Sequence, residues 1–257
     1  MRLNKFLGET GLCSRREADR LIGERRVSIN GRIAAIGTLV EEGDEVRLDG
    51  QIARPRTRRG ERVRIYLKLN KPVGVTCTTE RHVRGNIIDF IDHPERIFPI
   101  GRLDKDSQGL ILLTNDGDIV NQILRAENHH EKEYLVGVDQ AVTPEFLARM
   151  AAGVRIHNTQ TLPCRVQARG KCGFRIVLTQ GLNRQIRLMC EALGYTVKSL
   201  QRIRIMNVTL DGLKIGQWRN LSAAELALLL PQSGAEASPI KAAKAAPART
   251  RSRPFGS

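Results

Sequence analysis

The sequence predicts an α+β fold in two parts, a small N-terminal module and a larger domain with a mixed, mostly antiparallel sheet. The first 50 residues contain two helix-like stretches and an Asn-Gly hairpin signal. From residue 65 to 231, strand-like and helix-like stretches alternate without the regular period of βαβ units. Helices are too few to connect all strands of a parallel sheet, so antiparallel pairing dominates the prediction.

The N-terminal module, residues 1–50, has the predicted order helix, helix, hairpin, strand. A short helix runs from Leu3 to Glu9. Ser14 and Glu17 have the spacing of a capping box, in which each side chain binds the backbone amide of the other, so a second helix begins at Ser14. VSINGRIA supplies the hairpin, and EEGDEVRLDG adds a turn and a strand.

The larger domain, residues 65–231, follows a basic linker at 51–64 and precedes a basic tail at 232–257. The linker carries six arginines, and the tail is rich in Ala, Pro, Ser and Arg, so we expect the tail to be disordered. The predicted strands are IYLKLNKPVGVTCT, RIFPI, LILLT, KEYLVGVD, CRVQA and FRIVLT. The predicted helices are DIVNQILRA, TPEFLARMAAG, LNRQIRLMCEALG and SAAELALLL.

The charge balance indicates the class of partner. Lys and Arg number 42 against 27 Asp and Glu, which gives a net charge of +15. This excess is typical of a nucleic-acid binder, with an anionic membrane surface as the competing partner. The chain has no apolar run of about 18 residues and no signal-peptide core, so we expect a cytoplasmic protein that does not enter a membrane.

Cysteine and histidine patterns argue against a metal site. The five cysteines have no CxxC spacing and their number is odd, which is unfavourable for a zinc cluster or a disulfide framework. His129 and His130 are adjacent and lack a third ligand, so we expect them to be exposed loop residues. Because no GxGxxG or GxxxxGK[ST] loop is present, no nucleotide cofactor is expected and any chemistry should use side chains alone.

Basic residues on the second helix are candidate phosphate contacts. Arg15 and Arg16 lead this cluster, which can bind RNA through point charges and hydrogen-bonding forks. The cluster is completed by Arg2, Lys5 and Arg20. The alternative is a solvated face, because acidic residues interleave at helical spacing. From the residues alone the two interpretations have equal weight.

The stretch GRLDKDSQGL, residues 101–110, places two carboxylates and two cations between apolar stretches. Asp104 could cap the amides of its own loop, which is the more common role for such a residue type. It could instead act as a nucleophile or a base. Residue type alone favours the cap.

Four motifs occur in an order that resembles the RsuA/RluA-type RNA pseudouridine synthases. They are LNKPVGV, GRLDKDSQGLILLTNDGD, HEKEYLV and QGLNRQIRLMCEALGY. The N-terminal module resembles the αL-type RNA-binding domain of a ribosomal small-subunit protein. The resemblance covers residues 2 to 230 and is greatest to the RluF and RluB branch, RluF above all, which modifies large-subunit ribosomal RNA.

The resemblance implies an isomerase that needs no metal or cofactor. Such an enzyme breaks the N1–C1′ bond of a uridine, turns the uracil and rejoins it through C5. The implied substrate is one uridine in a stem-loop of bacterial 23S rRNA, with a tRNA anticodon uridine as a further candidate, and we expect a monomer. The alternative is a non-catalytic binder of structured RNA in ribosome assembly, which explains the charge but not the motifs together.

The resemblance also implies roles for individual residues. Asp104 would be the catalytic carboxylate, Tyr134 would stack on the target uracil, and Arg187 would pair with Asp104 and lower its pKa. Arg102 would fill the gap that the flipped base leaves, and Ile186 would pack against the base or Tyr134. The remaining implied RNA contacts are Lys71, Leu103, Lys105, Arg184 and Gln185.

Three of these residues have ordinary structural alternatives. Tyr134 on its strand could be a core residue. Arg187 could form a surface pair with Glu191, one helical turn on. Arg102 could form an ion pair with Asp106 or Asp116.

Overall fold

The structure is a computed structural model that describes residues 1–54, 64–80, 82–124 and 130–229. The chain divides into two units, Met1–Val63 and Arg64–Ser257. The predicted tail, most of the predicted linker and His129 lie outside the described residues. None of the helices in the described ranges is long and apolar enough to cross a bilayer.

The first unit contains two helices and a four-stranded antiparallel sheet in the order β2-β1-β3-β4. The helices are α1 (Leu3–Thr10) and α2 (Arg15–Gly23). The strands are β1 (Val27–Ile29), β2 (Arg32–Ile33), β3 (Val46–Leu48) and β4 (Gln51–Ile52). One apolar cluster joins helices and sheet; its most buried members include Leu3, Leu7, Leu21, Val27 and Val46. The predicted order of elements is confirmed.

Local chemistry explains where these elements begin. The Ser14 side chain accepts a hydrogen bond from the Glu17 amide at 3.1 Å, so it caps α2. The Glu17 carboxylate binds Arg20 instead of returning to the cap, so only half of the predicted capping box forms. Asn30 and Gly31 have φ of 49° and 78°, the positive values that a type I′ hairpin needs at both central residues.

The first unit continues past the predicted boundary at residue 50. Gln51–Ile52 forms β4 and pairs with β3. Ala53 is 3% exposed and belongs to the core of the unit. The predicted start of the linker at residue 51 is therefore too early, because the turn after Leu48 reverses the chain into another strand.

The second unit is built on a nine-stranded sheet with a main order of β11-β12-β8-β13-β7-β5-β15, with β14 and β6 paired to β13 and β7. The strands of the sheet are β5 (Tyr66–Lys71), β6 (Phe98–Ile100), β7 (Gln108–Thr114), β8 (Lys132–Val138), β11 (Arg165–Ala168), β12 (Gly173–Leu178), β13 (Val197–Ile205), β14 (Val208–Thr209) and β15 (Trp218–Asn220). A separate hairpin is formed by β9 (Arg155–Ile156) and β10 (Thr159–Gln160). Within the described residues β13 and β7 are the one parallel pair, so the prediction of a mixed, mostly antiparallel sheet is confirmed.

Helices cover parts of both faces of this sheet. They are α3 (Ile87–Ile91), α4 (Gly117–Leu124), α5 (Pro144–Ala152), α6 (Gln185–Ala192) and α7 (Ala223–Leu229). Alternate residues of β7 enter different cores: Ile111 and Leu113 pack with α5 and α6, whereas Leu110 and Leu112 pack with α4 and α7. Burial on both faces explains why this strand reads as a continuous apolar run.

Candidate active site

The loop between β6 and β7 carries the GRLDKDSQGL motif and is held through its backbone. The Ser107 amide donates to the Asp104 backbone oxygen at 3.1 Å, which closes a turn. The Gly74 amide donates to the Lys105 backbone oxygen at 2.8 Å, which ties the loop to the segment after β5. Both bonds join backbone atoms, so neither of them involves the Asp104 side chain.

The Asp104 carboxylate is not a cap. Within the described residues it accepts no amide of its own loop, and its side chain is 31% exposed. The one charged contact it makes in the described ranges is long, 3.8 Å from Arg184 Nη1. Asp104 therefore does not have the amide-capping role that is common for an aspartate in a loop. Its carboxylate is available to a bound molecule.

Arg187 contacts the residues that follow Asp104 rather than Asp104 itself. Its Nη2 lies 3.3 Å from Asp106 Oδ2 and donates to the Asp106 backbone oxygen and to Ser107 Oγ at 3.1 and 3.2 Å. Among the described residues it pairs with neither Asp104 nor Glu191. The predicted Arg187–Asp104 pair is corrected: the Asp106 carbonyl and the Ser107 hydroxyl hold the guanidinium at the end of the loop.

Arg184 supplies the cation closest to Asp104 in the described chain. It is the N-cap of α6 with φ 49° and its side chain is 46% exposed. Its Nη1 lies 3.4 Å from Asp106 Oδ1 as well as 3.8 Å from Asp104 Oδ2. Both loop carboxylates thus share one solvent-facing arginine.

Gln185 does not face solvent. It is 4% exposed, its Oε1 accepts from the Leu182 amide at 3.0 Å, and its Nε2 lies 3.3 Å from Gln180 Oε1. The side chain satisfies the turn that leads into α6, as a buried polar group must. The predicted RNA contact of Gln185 is corrected, because its side chain is buried and bonded within the turn.

Lys71 is fully buried at the end of β5. Its Nζ donates to the backbone oxygens of Pro72 and Val75, both at 2.9 Å. Burial lowers the pKa of this amine, although Cys77 and Asp104 act in the opposite direction. Because Lys71 is fully buried and two of its three donors are used by the turn that follows the strand, the predicted phosphate contact is corrected.

Residues 102 to 104 alternate between solvent and core. Arg102 is exposed, Leu103 is 7% exposed, and Asp104 is half-buried. An extended segment places alternate side chains on opposite sides, so Arg102 and Asp104 share a side and Leu103 does not. Leu103 instead joins the apolar cluster of Tyr134 and Ile186, and its predicted RNA contact, like theirs, stays a prediction. Within the described residues Arg102 forms no ion pair with Asp106 or Asp116.

Tyr134 and Ile186 lie in the apolar cluster that also contains Leu103. Tyr134 on β8 is 9% exposed and Ile186 on α6 is 4% exposed. The loop, the Tyr134 strand and the Ile186 helix are thus joined by one core. The structure brings together the three motifs that carry the predicted catalytic residues.

No metal site accompanies this cluster. Among the described residues, no three His, Cys, Asp or Glu side chains are grouped so that they could hold an ion. His130 is half-buried, and its backbone oxygen accepts a hydrogen bond from Lys132 Nζ at 3.1 Å.

Comparisons with known proteins match both units. Residues 65–192 match the RNA pseudouridylate synthase model, and residues 1–46 match the S4 domain. A protein of Escherichia coli K12 named dual-specificity RNA pseudouridine synthase RluF is 54% identical over 247 residues, which cover 95% of this chain and 84% of that protein. The chain belongs to the RsuA-type RNA pseudouridine synthases. The predicted family, fold class and reaction class are confirmed.

Two further relatives agree with this assignment. Ribosomal large subunit pseudouridine synthase B of Bacillus subtilis is 33% identical over 234 residues, 88% of the synthase described here and 93% of that relative. A solved structure described as a pseudouridylate synthase is 31% identical, covers 90% of this chain and all of that chain, and superposes with a TM-score of 0.66. The synthase is therefore an isomerase with an RNA substrate.

Two arginines of the basic cluster on α2, Arg15 and Arg20, differ in their ion pairs. Arg20 forms ion pairs with Glu17 and Glu24, so for this residue the solvated-face alternative holds. Arg15 and Arg16 are exposed at the start of the helix. Within the described residues Arg15 forms no ion pair, which leaves its charge available to a polyanion.

Two cations of the synthase were not predicted as site residues, the half-buried Lys132 and the buried Arg202. Lys132 lies on the same strand as Tyr134, and its pKa is lowered by burial and by the charge of Arg202. Arg202 lies on β13, a strand that the sequence analysis did not predict, and is 4% exposed. Only the end of VKSLQRIRI, Ile203 to Ile205, alternates apolar and polar residues, so the sequence signal for this strand was weak.

Proposed function

We propose that the synthase converts a specific uridine in a stem-loop of bacterial 23S rRNA to pseudouridine, with a tRNA anticodon uridine as a second substrate. The names of its relatives support this: one is a dual-specificity RNA pseudouridine synthase and another acts on the large ribosomal subunit. Such substrates place the enzyme in the cytoplasm, where we propose that it acts as a monomer.

The observation that carries the chemical proposal is the uncommitted carboxylate of Asp104. Among the described residues it accepts no amide of its own loop, it is 31% exposed, and its nearest cation, the 46%-exposed Arg184, lies at 3.8 Å. In the proposed reaction Asp104 attacks C1′ as a nucleophile or removes the 2′ proton as a base, and both roles need an ionised group beside the ribose. One carboxylate is enough because the uracil is retained and no water is delivered to the sugar.

The neighbouring residues have supporting roles in this proposal. Tyr134 stacks on the uracil, and Ile186 packs against the ring from the same core. Arg102, exposed beside Asp104, fills the space of the extruded base. Arg187 holds the loop through Asp106 and Ser107, and Arg184 and Lys105 meet RNA phosphates. Their exposure supports these phosphate contacts.

The N-terminal S4 domain provides affinity rather than chemistry. Arg15 and Arg16 are proposed to contact phosphates, which contribute to binding without reading base identity. Because phosphate binding releases counterions, RNA affinity of the synthase should fall steeply with salt concentration. The loops of a folded RNA and the residues around Asp104 would then select the uridine.

Mapping of modified sites tests the proposed substrates. RNA from cells with and without this gene is treated with carbodiimide, and pseudouridines are located by primer extension. We expect one stop in 23S rRNA, and one in a tRNA anticodon, that depend on the gene and return with the wild-type gene but not with Asp104→Asn. Restoration by Asp104→Asn would refute the role of this residue, and stops confined to other RNAs would refute the proposed substrates.

A further inference from the structure

Arg202 lies where the catalytic loop and the Tyr134 strand meet. In the β13–β8 ladder its partner is Tyr134, and in the parallel β13–β7 pair its partner is Gly109. Gly109 has φ of 109°, and a Cβ atom on it would lie 2.2 Å from the Arg202 backbone oxygen. Residue 109 must be a glycine, because any side chain there would keep β13 from approaching the end of the loop so closely.

The guanidinium of Arg202 joins the two sides of the loop. Its Nε donates to the Leu110 backbone oxygen at 2.7 Å, after the loop. Its Nη1 donates to the Arg102 backbone oxygen at 3.4 Å, two residues before Asp104. The planar fork of an arginine has a fixed geometry, so these two bonds set the separation of the loop ends.

The charge of Arg202 is buried without an anion. Within the described residues it forms no ion pair, and its Nη2 is buried with no hydrogen-bond partner. Arg204, two residues along the same strand, is paired with Glu131 and Glu133 at 2.9 and 2.7 Å. Burying a cation without an anion costs folding free energy. Fold stability therefore does not account for it.

We propose that Arg202 is a positioning residue for pseudouridine formation. It fixes the backbone on both sides of Asp104 and thereby sets the carboxylate against Tyr134, while its own side chain takes no part in bond making. This inference rests on the proposed role of Asp104. Small displacements of a reacting group reduce the rate without weakening binding, so the expected defect lies in turnover.

The experiment compares Arg202→Met with Lys68→Met, which alters another long cation buried in this sheet. Turnover of each variant is measured as the release of tritium from RNA labelled at uridine C5. The label is released because the C5 hydrogen leaves when C5 bonds to C1′. We expect Arg202→Met to lower kcat roughly 100-fold with KM unchanged. Its thermal midpoint should stay closer to wild type than that of Lys68→Met, which should keep its kcat while folded.

Two further variants keep the test decisive. Arg202→Lys retains the charge without the fork, so it should remain as slow as Arg202→Met. A kcat of Arg202→Met within about twofold of wild type, or a loss that matches its unfolded fraction by circular dichroism, would overturn the proposal. If Asp104→Asn retained turnover, the proposed function would fail instead, so the two failures are distinguishable.

Discussion

Two regions of the synthase domain contain buried cations. The cations of the two regions differ in their bonding partners. Beside α7, Lys68 is fully buried, with Nζ 2.9 Å from Glu225 Oε1 and 2.7 Å from the Thr209 backbone oxygen. Beside the catalytic loop, Lys71 is equally buried but its donors meet only backbone oxygens. Arg202 is similarly without an anion among the described residues.

We propose that this difference separates paired charges, which stabilise the fold, from Arg202 and Asp104, which serve the reaction. The carboxylate of Glu225 is already occupied by Lys68 and Arg219, the latter at 2.8 Å. The carboxylate of Asp104 has one long contact with a half-exposed arginine. Paired groups should therefore affect stability when changed, whereas uncommitted groups should affect activity.

The largest expected effect is on the uncommitted carboxylate. Asp104→Asn should lower turnover on the order of 10⁴-fold, since the amide can neither attack the sugar nor take up a proton. Tritium release from labelled RNA measures turnover, and filter binding should show unchanged RNA affinity.

Asp106→Asn is the matched control in the same loop. Asp106 is already paired with Arg184 and Arg187, and the Arg187 bond to its backbone oxygen survives the change. We expect most of the turnover to remain. Equal losses in the two variants would show that the comparison between paired and uncommitted carboxylates is invalid.

The next effect is on stability. Lys68→Met should reduce the free energy of unfolding by about 2 kcal/mol, less than for a fully isolated buried pair because Glu225 keeps Arg219. Urea denaturation followed by circular dichroism measures this change. Adding Glu225→Leu should recover part of the loss, because the charge that then loses its partner, Arg219, is 42% exposed and can be solvated; a larger loss in the double variant would contradict the pairing argument.

Low pH should destabilise the region beside α7, because Glu225 becomes protonated. Burial raises the pKa of its carboxyl, but bonds from Arg219, Lys68 and the Ser222 amide outweigh this and lower it to about 2, from an ordinary value of 4.5. The folded state thus favours the ionised form, so its stability contribution is complete above pH 4.5 and is lost as pH falls toward 2.

Glu225→Gln should remove this part of the pH dependence. Denaturation of both proteins between pH 2 and 6 measures it, with Asp106→Gln as an exposed control. If the wild type and Glu225→Gln lost stability in parallel below pH 4.5, the acid sensitivity would arise elsewhere.

The smallest effect concerns the S4 domain. Arg15→Gln should weaken RNA binding and reduce the slope of log affinity against log salt by about 1, while leaving single-turnover rates at saturating RNA unchanged. Arg20→Gln is the matched control on the same helix, since Arg20 is paired with Glu17 and Glu24. A reduced slope for Arg20→Gln alone would reverse the assignment of the two arginines.

Local patterns were sufficient for much of the fold. The Asn30-Gly31 pair, the Ser14 cap and the apolar spacing of α5 and α6 each act within a few residues, so the predicted elements formed there. The strand predicted after Ile65 ends at Lys71, because the next residues are a turn that its own side chain stabilises. β13 was missed because its buried Arg202 resembles a surface residue in sequence.

By itself, the sequence determined the order of the local elements, the excess of positive charge and the motif set that assigns the reaction class. Only the tertiary structure decided which cation meets which carboxylate, and that Lys71, Leu103 and Gln185 point inward. The reason is distance along the chain: Arg202 bonds the backbone of residues 92 and 100 positions away, and Arg187 bonds Asp106 81 positions away. Such partners are selected by strand order and packing, which no local pattern encodes.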